Sequence, residues 1–575
     1  ETLMGSRTAT RDQRNQRGRV ITKLPSQEGF SFDLSQPRED PLARRAVEHV
    51  FGKETVGNCF QKLKRSQISY EALVQDLMGY ERSYAPSVPT RSDPVYQMAV
   101  QSVREDLTGA VPLIPYTNGA VPRLSEFPKA KSPGLPWKHR GYKSKGDVIS
   151  EQDNVSEMTK FWHHVGAGIP VEFPDTCLFA RNQVCDISKN KIRSVWGYPL
   201  HVYLEEARFF YPLMDRLKEH KDHRLPIAYG YEMTHGGMAA LSDLCLRSEG
   251  SICLMTDWKG FDKSIPPWLI RDAFSILSEV FDFDHVKDSE GIIWKVRGYR
   301  SRRRWKKIVD YFIETPVRTC KGERYLVRGG VPSGSCFTNI IDTIINTIVS
   351  RYLIYHTCGF FPSGEMYLGD DGVVILPKDT KINLDVISNL AMEKFGMELS
   401  TEKSFVTSNI ENIHFLGYHN YPVGRPHRDQ DLLITSFVHP ERTRRTAEEC
   451  AAAALGQLWS NFDPAIASKW WDVLMYCCDE FTLDTGEVLA YLRHHSYRHK
   501  YLSHVGRNFG TLTVPRPDEH NLIHEVHPDP SPRHIPPRRE YDYAALWGRT
   551  YGDWKKGFEW YVMHSEERKT SSRSS

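Results

Sequence analysis

The residues best placed to do chemistry in this sequence are acids at the ends of short apolar runs. Ile252-Cys253-Leu254-Met255-Thr256-Asp257 reads as a buried strand that delivers Asp257 at its tip. Trp258-Lys259-Gly260-Phe261-Asp262 then turns, and Pro266-Pro267 predicts a helix start. Further on, two apolar runs between Met366 and Leu376 flank Gly369-Asp370-Asp371-Gly372, a hairpin signal. Asp and Gly are ordinary turn residues, so Gly-Asp-Asp alone fits a plain tight turn equally well. The pair of acidic strands says more. Strand-borne carboxylates brought side by side repel unless cations lie between them. Hard oxygen donors with room for phosphate oxygens suit Mg²⁺. Two such ions can clamp the attacking and leaving oxygens of a phosphoryl displacement. Asp257 and Asp370 are therefore the expected metal ligands, with Asp371 as a secondary or water-mediated one.

Two further segments could serve that chemistry. Gly329-Gly330-Val331-Pro332-Ser333-Gly334-Ser335 is a flexible loop, followed by a helix with Phe337, Ile340, Ile341, Ile344, Ile345 and Ile348 on its apolar side. Thr338, Asp342 and Asn346, each four residues on, share another side. The stripe could be plain solvent exposure, but the helix is too apolar for a surface element. Upstream, Lys189 to Pro199 alternates basic and apolar residues before a turn, which predicts a strand with one basic face.

These segments resemble viral RNA-dependent RNA polymerases. Ser333-Gly334, Thr338 and Asp342 match the family's Ser-Gly-x3-Thr-x3-Asn/Asp pattern, with Asp342 where many positive-strand virus enzymes carry Asn. The resemblance implies that this element contacts template and that its stripe, with Asp262, senses the ribose 2′ hydroxyl. It makes Arg193, with Lys191 and Arg181, the triphosphate-holding basic finger, for which guanidinium forks are suited. Ser132-Pro133-Gly134-Leu135-Pro136-Trp137 resembles the template-entrance loop, through Ser132 and Gly134. Phe395 to Ser404 resembles the segment whose lysine, here Lys403, protonates the leaving pyrophosphate. Glu411 to Tyr418, with Phe415 and Leu416, resembles the hairpin that grips the product strand. Seven such segments occur in the family's order between Lys131 and Tyr418. Their wording is most similar to partitivirus polymerases, with picobirnavirus polymerases next.

The elements that must position these residues follow from the same reading. The resemblance implies an α+β right hand of palm, fingers and thumb, the palm a small antiparallel sheet flanked by helices. The expected divisions are 1–40, a polar basic segment, mobile or draped over the body; 41–120, bridging fingers and thumb; and 121–250, fingers. Residues 251–280 and 331–420 form the palm around a finger insertion at 281–330. Residues 421–512 form the thumb, and 513–575 a Pro-rich extension with a polar tail. The cluster Arg300, Arg302, Arg303, Arg304, Lys306 and Lys307 around Trp305 is left open between RNA phosphate contact, a solvated finger surface and a capsid contact.

Composition sets the outer bounds. A chain of 575 residues is long enough for a multi-lobed enzyme. Its net charge of +3 does not announce a nucleic-acid partner, although an enclosed channel needs only local charge. Eleven cysteines without metal-type spacing fit reduced thiols better than a disulfide framework. No signal peptide or bilayer-length apolar run is read, so no membrane partner is expected. The expected cofactors are two Mg²⁺ ions, replaceable by Mn²⁺. The expected partners are template RNA, product RNA, NTPs and viral capsid protein, and the expected setting is the virion interior and host cytoplasm. The expected function is RNA-dependent RNA polymerase of a small double-stranded RNA virus. The alternatives are a reverse transcriptase-like polymerase, whose sugar gate is usually bulky and apolar rather than an acid like Asp262, and a non-catalytic RNA-binding virion protein.

Overall fold

Ile252–Thr256 is the central strand of a four-stranded antiparallel sheet in the computed structural model, which describes residues 20–108, 111–219, 226–246, 251–421, 424–495, 516 and 543. Asp371–Leu376 pairs on one side of it and Phe405–Thr407 on the other, and Gly364–Leu368 completes the sheet. A strand covered on both faces reads as a continuous apolar run rather than an alternation, which is the pattern of Cys253, Leu254 and Met255.

The Thr338–Cys358 helix packs behind this sheet and is buried along almost its whole length. It ends at Gly359, whose φ of 89° is the left-handed conformation that closes helices. The Pro94–Thr108, Pro267–Ser278 and Leu384–Phe395 helices pack around it. The burial needs one polar compensation. Arg351 is fully buried, and its guanidinium meets Glu365 and Asp106 at 3.0 Å each and donates to Ser102 at 2.9 Å. Satisfying its donors in this way keeps a buried charge tolerable.

A second sheet stands beside the first. Its five strands run in the order Ile21–Leu24, Arg324–Arg328, Glu314–Arg318, Thr176–Asn182 and Ile192–Gly197. The basic strand predicted around Arg193 is therefore an edge, with Ile192, Ser194 and Trp196 buried and Lys191 and Arg193 exposed. The other edge is the N-terminal strand. Of the segment expected to be mobile or draped, residues 20–40 lie along the body; residues 1–19 are outside the described residues, as is the Pro-rich extension apart from Arg516 and Tyr543.

The third body is helical. Gln430–Val438, Ala447–Leu458, Pro464–Glu480 and Thr485–His495 share a core with the N-terminal helices Pro41–Phe51 and Lys53–Lys62. Ala46, Val47 and Val56 meet Leu433, Leu455 and Trp470 there. One N-terminal segment thus belongs to the edge strand at Ile21–Leu24 and to this helical core. Asp40 is the joint. Its carboxylate accepts from the N–H groups of Leu42 and Ala43, capping the helix, and pairs with Arg444 at 3.0 Å. Its own N–H donates to the Val438 carbonyl at 2.9 Å.

Asp40→Ala removes both the cap and the counter-charge of the largely buried Arg444. We expect a loss of about 2 kcal/mol in the unfolding free energy of the helical body, measured by urea denaturation. Asp40→Asn keeps the cap and should recover about half. Equal losses in the two variants would show that the cap contributes nothing, and full recovery in Asp40→Asn would show the same of the ion pair.

Candidate active site

The Gly-Asp-Asp turn is held by its backbone. Leu368 pairs with Asp371, which leaves Gly369 and Asp370 as a two-residue loop. Gly369 has φ 61°, as the first loop position of a II′ turn requires. From the helix behind, Thr343 Oγ1 accepts from the Gly369 N–H at 2.9 Å. Asn346 Nδ2 donates to the carbonyls of Gly369 at 3.1 Å and Asp371 at 3.2 Å. Asn346 is fully buried, so this member of the polar stripe clamps the turn rather than facing solvent. Asp257 follows Thr256, which pairs with Gly372. Its N–H donates to Ser404 Oγ at 3.0 Å and its carbonyl accepts from the Ser400 N–H at 2.8 Å.

Above the turn lies a cavity of about 1160 Å³. Asp370, Asp371, Asp262, Asp342, Thr338 and Ser333 line it, together with Lys191 and Arg193. Asp370 is exposed to the cavity, yet protein surrounds it closely enough that desolvation is the main reason its pKa is pushed up to about 6; Asp371 and Asp262 add to the rise. Asp371 is raised by burial, against which His414 and the Leu416 backbone act. Asp342 is raised well above an ordinary carboxylate, by burial first and by the neighbouring Asp262 second. Its Oδ1 has no hydrogen-bond partner among the described residues. Burial and the neighbouring Asp262 thus favour the protonated form of Asp342.

Asp257 is half-buried and does not line this cavity, although its charge contributes to raising both Asp370 and Asp371. Among the described residues no three His, Cys, Asp or Glu side chains converge as a ready-made metal cage. Hard carboxylate oxygens under mutual repulsion nevertheless fit Mg²⁺, which takes much of its shell from water and phosphate.

The glycine loop is stitched to the basic strand. Ser333 Oγ donates to the Ser194 carbonyl at 3.0 Å and accepts from the Trp196 N–H at 3.3 Å. A Cβ at Gly334 would stand 1.4 Å from the Trp196 carbonyl oxygen, so only glycine allows this approach. Thr338 Oγ1 donates to the Pro332 carbonyl and closes the loop onto its own helix. Three residues outside the motifs support the same wall. Tyr80 donates to the Val331 carbonyl at 2.9 Å. Asp76 accepts from the Ser194 N–H at 3.2 Å and pairs with Lys263 at 2.6 Å. Glu206 is fully buried, and its carboxyl accepts from Ser335 Oγ and from the Cys336 N–H at 3.2 Å. Burial pushes its pKa up to about 8, because only these two hydrogen bonds offset its desolvation. No local sequence pattern marks these three residues.

The other expected residues are placed differently. Arg181 does not line the cavity; it forms a two-pronged pair with Glu441 at 2.7 and 2.9 Å. Lys403 faces an adjoining cavity of about 830 Å³, with His414, His419 and His427. Ser132 and Gly134 lie outside both cavities, where the Ser132 carbonyl accepts from Lys145 Nζ at 2.7 Å. Phe415 is buried, whereas Leu416 lines the main cavity. Leu416 and Gly417 form the hairpin loop with φ of 53° and 78°. A leucine in that conformation costs about 1–2 kcal/mol, a strain held at the cavity wall.

A family profile described as viral RNA-dependent RNA polymerase matches residues 45–459. The chain belongs to that family. Among polymerases of this family, the RNA-directed RNA polymerase of White clover cryptic virus 1 is 27% identical over 293 residues, covering 47% of this chain and 46% of the relative. That of Cryptosporidium parvum virus 1 is 26% identical over 361 residues, covering 58% and 63%. The chain thus spans between about half and just under two thirds of the length of these curated relatives. The partitivirus-like wording of its motifs agrees with the cryptic-virus match. The crystal structure of the RNA-dependent RNA polymerase of a human picobirnavirus superposes with a TM-score of 0.56 at 14% identity, covering 79% of this chain and 84% of that one. The fold is therefore the expected right hand, with the small antiparallel sheet flanked by helices as its palm.

Glu206 gives this chain a pH-dependent anchor for its glycine loop. A carboxyl raised from 4.5 to about 8 stabilises the fold fully below the unfolded value, and the contribution is lost as pH rises through about 8. Glu206→Gln removes that titration. Between about pH 5 and pH 8 the wild type should lose a few kcal/mol more stability than the variant. Parallel curves of melting temperature against pH would refute the assignment.

Proposed function

We propose that the chain catalyses template-directed addition of nucleotides to the 3′ hydroxyl of an RNA strand, for genome replication and transcription of a small double-stranded RNA virus. The observation that carries this reading is a cavity whose lining holds Asp370, Asp371, Asp262 and Asp342 together with Lys191 and Arg193. Acids and cations lining one cavity suit a metal-bound nucleoside triphosphate, whose phosphates need a cationic grip and whose cations need carboxylates. Lys191 and Arg193 bind the triphosphate. Asp262 accepts from the ribose 2′ hydroxyl, and the protonated Asp342 donates beside it. Ser333 and Gly334 hold the loop against the basic strand at the template side, and Leu416 and Phe415 lie at the product side.

Asp257 and Asp370, with Asp371 outside them, would hold two Mg²⁺ ions, or Mn²⁺ in their place, which supply charge neutralisation to the attacking and leaving oxygens. Lys403 serves as proton donor to the departing pyrophosphate through a movement of the turn before Ser404, since its side chain faces the adjoining cavity. Arg181 joins the triphosphate only by leaving Glu441. The names of the relatives support a viral setting, and we propose the virion interior and host cytoplasm with capsid protein as a partner. Among the described residues no helix is long and apolar enough to cross a membrane.

Asp257→Ala or Asp370→Ala should lower incorporation of labelled NTPs on an RNA template on the order of a thousandfold or more. Asp370→Asn should also leave the melting temperature at neutral pH unchanged or raised, because the charged form of Asp370 is disfavoured in the fold. Substantial activity in either alanine variant would remove the metal assignment.

Sugar choice tests the second pair of acids. Asp262→Ala should reduce preference for NTPs over dNTPs by about ten- to a hundredfold, while Asp342→Asn should keep most of the activity and the preference. Wild-type discrimination in Asp262→Ala would place sugar recognition elsewhere.

A further inference from the structure

Residues 282–307 carry nine Lys or Arg against four Asp or Glu, an excess of five where the whole chain has an excess of three. None of them lines either cavity. The segment is a hairpin, His285–Lys287 paired with Ile293–Lys295, running directly into the Gly298–Ile313 helix. The helix's inner side is spent on the fold: Trp305 is in the main core, and Arg304 is bound by Glu205 and Asn118. Its outer side carries Tyr299, Arg302, Arg303 and Lys306 at spacings of three and four.

Two properties separate this face from an ordinary solvated one. Its cations are not neutralised: among the described residues, no carboxylate lies within ion-pair distance of Lys287, Lys295, Arg297, Arg302, Lys306 or Lys307. The acid nearest in the hairpin is already committed, since Asp288 accepts from the Glu290 and Ile292 N–H groups and from Trp294 Nε1. Large apolar groups are also left in water. Trp294 is 55% exposed and Tyr299 57%, with Ile292 and Ile293 beside them. Trp294 is tethered by its indole N–H at 2.9 Å, so its ring is pre-positioned. Arg300 and Arg303 each stand 5.9 Å from the Tyr299 ring.

We propose that this face of the finger insertion is a second binding site for single-stranded RNA, with bases stacking on Trp294 and Tyr299 and phosphates held by Lys287, Arg302, Lys306 and Lys307. Open aromatic faces set among unpaired cations are the requirement for sequence-tolerant single-strand binding. A duplex hides its base faces, and protein interfaces are depleted in lysine; both fit this surface less well. The site would hold template outside the catalytic cavity.

The experiment uses the full chain and a short fluorescein-labelled oligouridylate. Trp294→Ala/Tyr299→Ala should weaken binding roughly tenfold or more. Lys306→Ala/Lys307→Ala should flatten the dependence of log affinity on log salt by about 0.7 for each phosphate that is no longer neutralised. Both variants should extend a short primed template like the wild type, and 4-thiouridine cross-links should fall within residues 287–307. Wild-type affinity in both variants, cross-links confined to the catalytic cavity, or equal competition by duplex RNA would each overturn the proposal. Unchanged RNA affinity with abolished binding to capsid protein would overturn it too and give the face to a protein. An inactive wild type that still cross-links at 287–307 would count against the polymerase reading and support this one.

Discussion

Five carboxylates, Asp257, Asp262, Asp342, Asp370 and Asp371, stand around one end of the palm sheet, and the rest of the architecture serves to keep them there. Like charges in a partly desolvated site drive each other's pKa upward, as Asp370 and Asp342 show. Nothing in the acids themselves favours the arrangement without a cation or substrate, so it must be imposed by the backbone. The sheet register sets Asp257 one residue beyond a pair with the Gly-Asp-Asp strand, and Thr343 and Asn346 grip that turn from a helix buried on nearly every side.

The cations of the cavity are imposed in the same way. Arg193 lies on an edge strand and Lys191 just before it, where outward residues are free to face the cavity. The glycine loop docks on that strand through Ser333, Gly334 and a fully buried Glu206. The N-terminal segment closes the system. It adds a strand to the far edge of the same sheet, then inserts helices into the helical core, so one segment ties the sheet to the helical body. A second tie, Arg181 with Glu441, spans the two bodies at the surface. As an exposed pair it contributes little stability, and it can therefore open at small cost.

What could be read from the chain itself was the set of pieces that carry their geometry locally. A hairpin loop needs a positive φ at one residue, and Gly369 declares it. A buried strand between two neighbours needs an unbroken apolar run, and Ile252 to Met255 declare that. The lysine segment is the informative exception. Its sequence resembles the proton-donating element, but the side chain of Lys403 faces the adjoining cavity, because the turn preceding Ser404 is set by its bonds to Asp257 and Ser400 rather than by the motif. Arg181 differs for a similar reason: a guanidinium at an edge pairs with whichever carboxylate the fold brings near, and Glu441 comes from a distant part of the chain.

The sequence by itself determined the family and the order of the elements, and it singled out acids that the fold places at or beside one cavity, because each rests on short-range patterns of turn chemistry, strand periodicity and motif spacing. Only the tertiary structure decided that Asp76, Tyr80 and Glu206 support the cavity wall, that Asp342 is pushed toward its protonated form, and that Leu416 is strained into its hairpin. Those properties depend on burial and on partners far away in the chain. Desolvation and long-range hydrogen bonding exist only once the chain has closed around them.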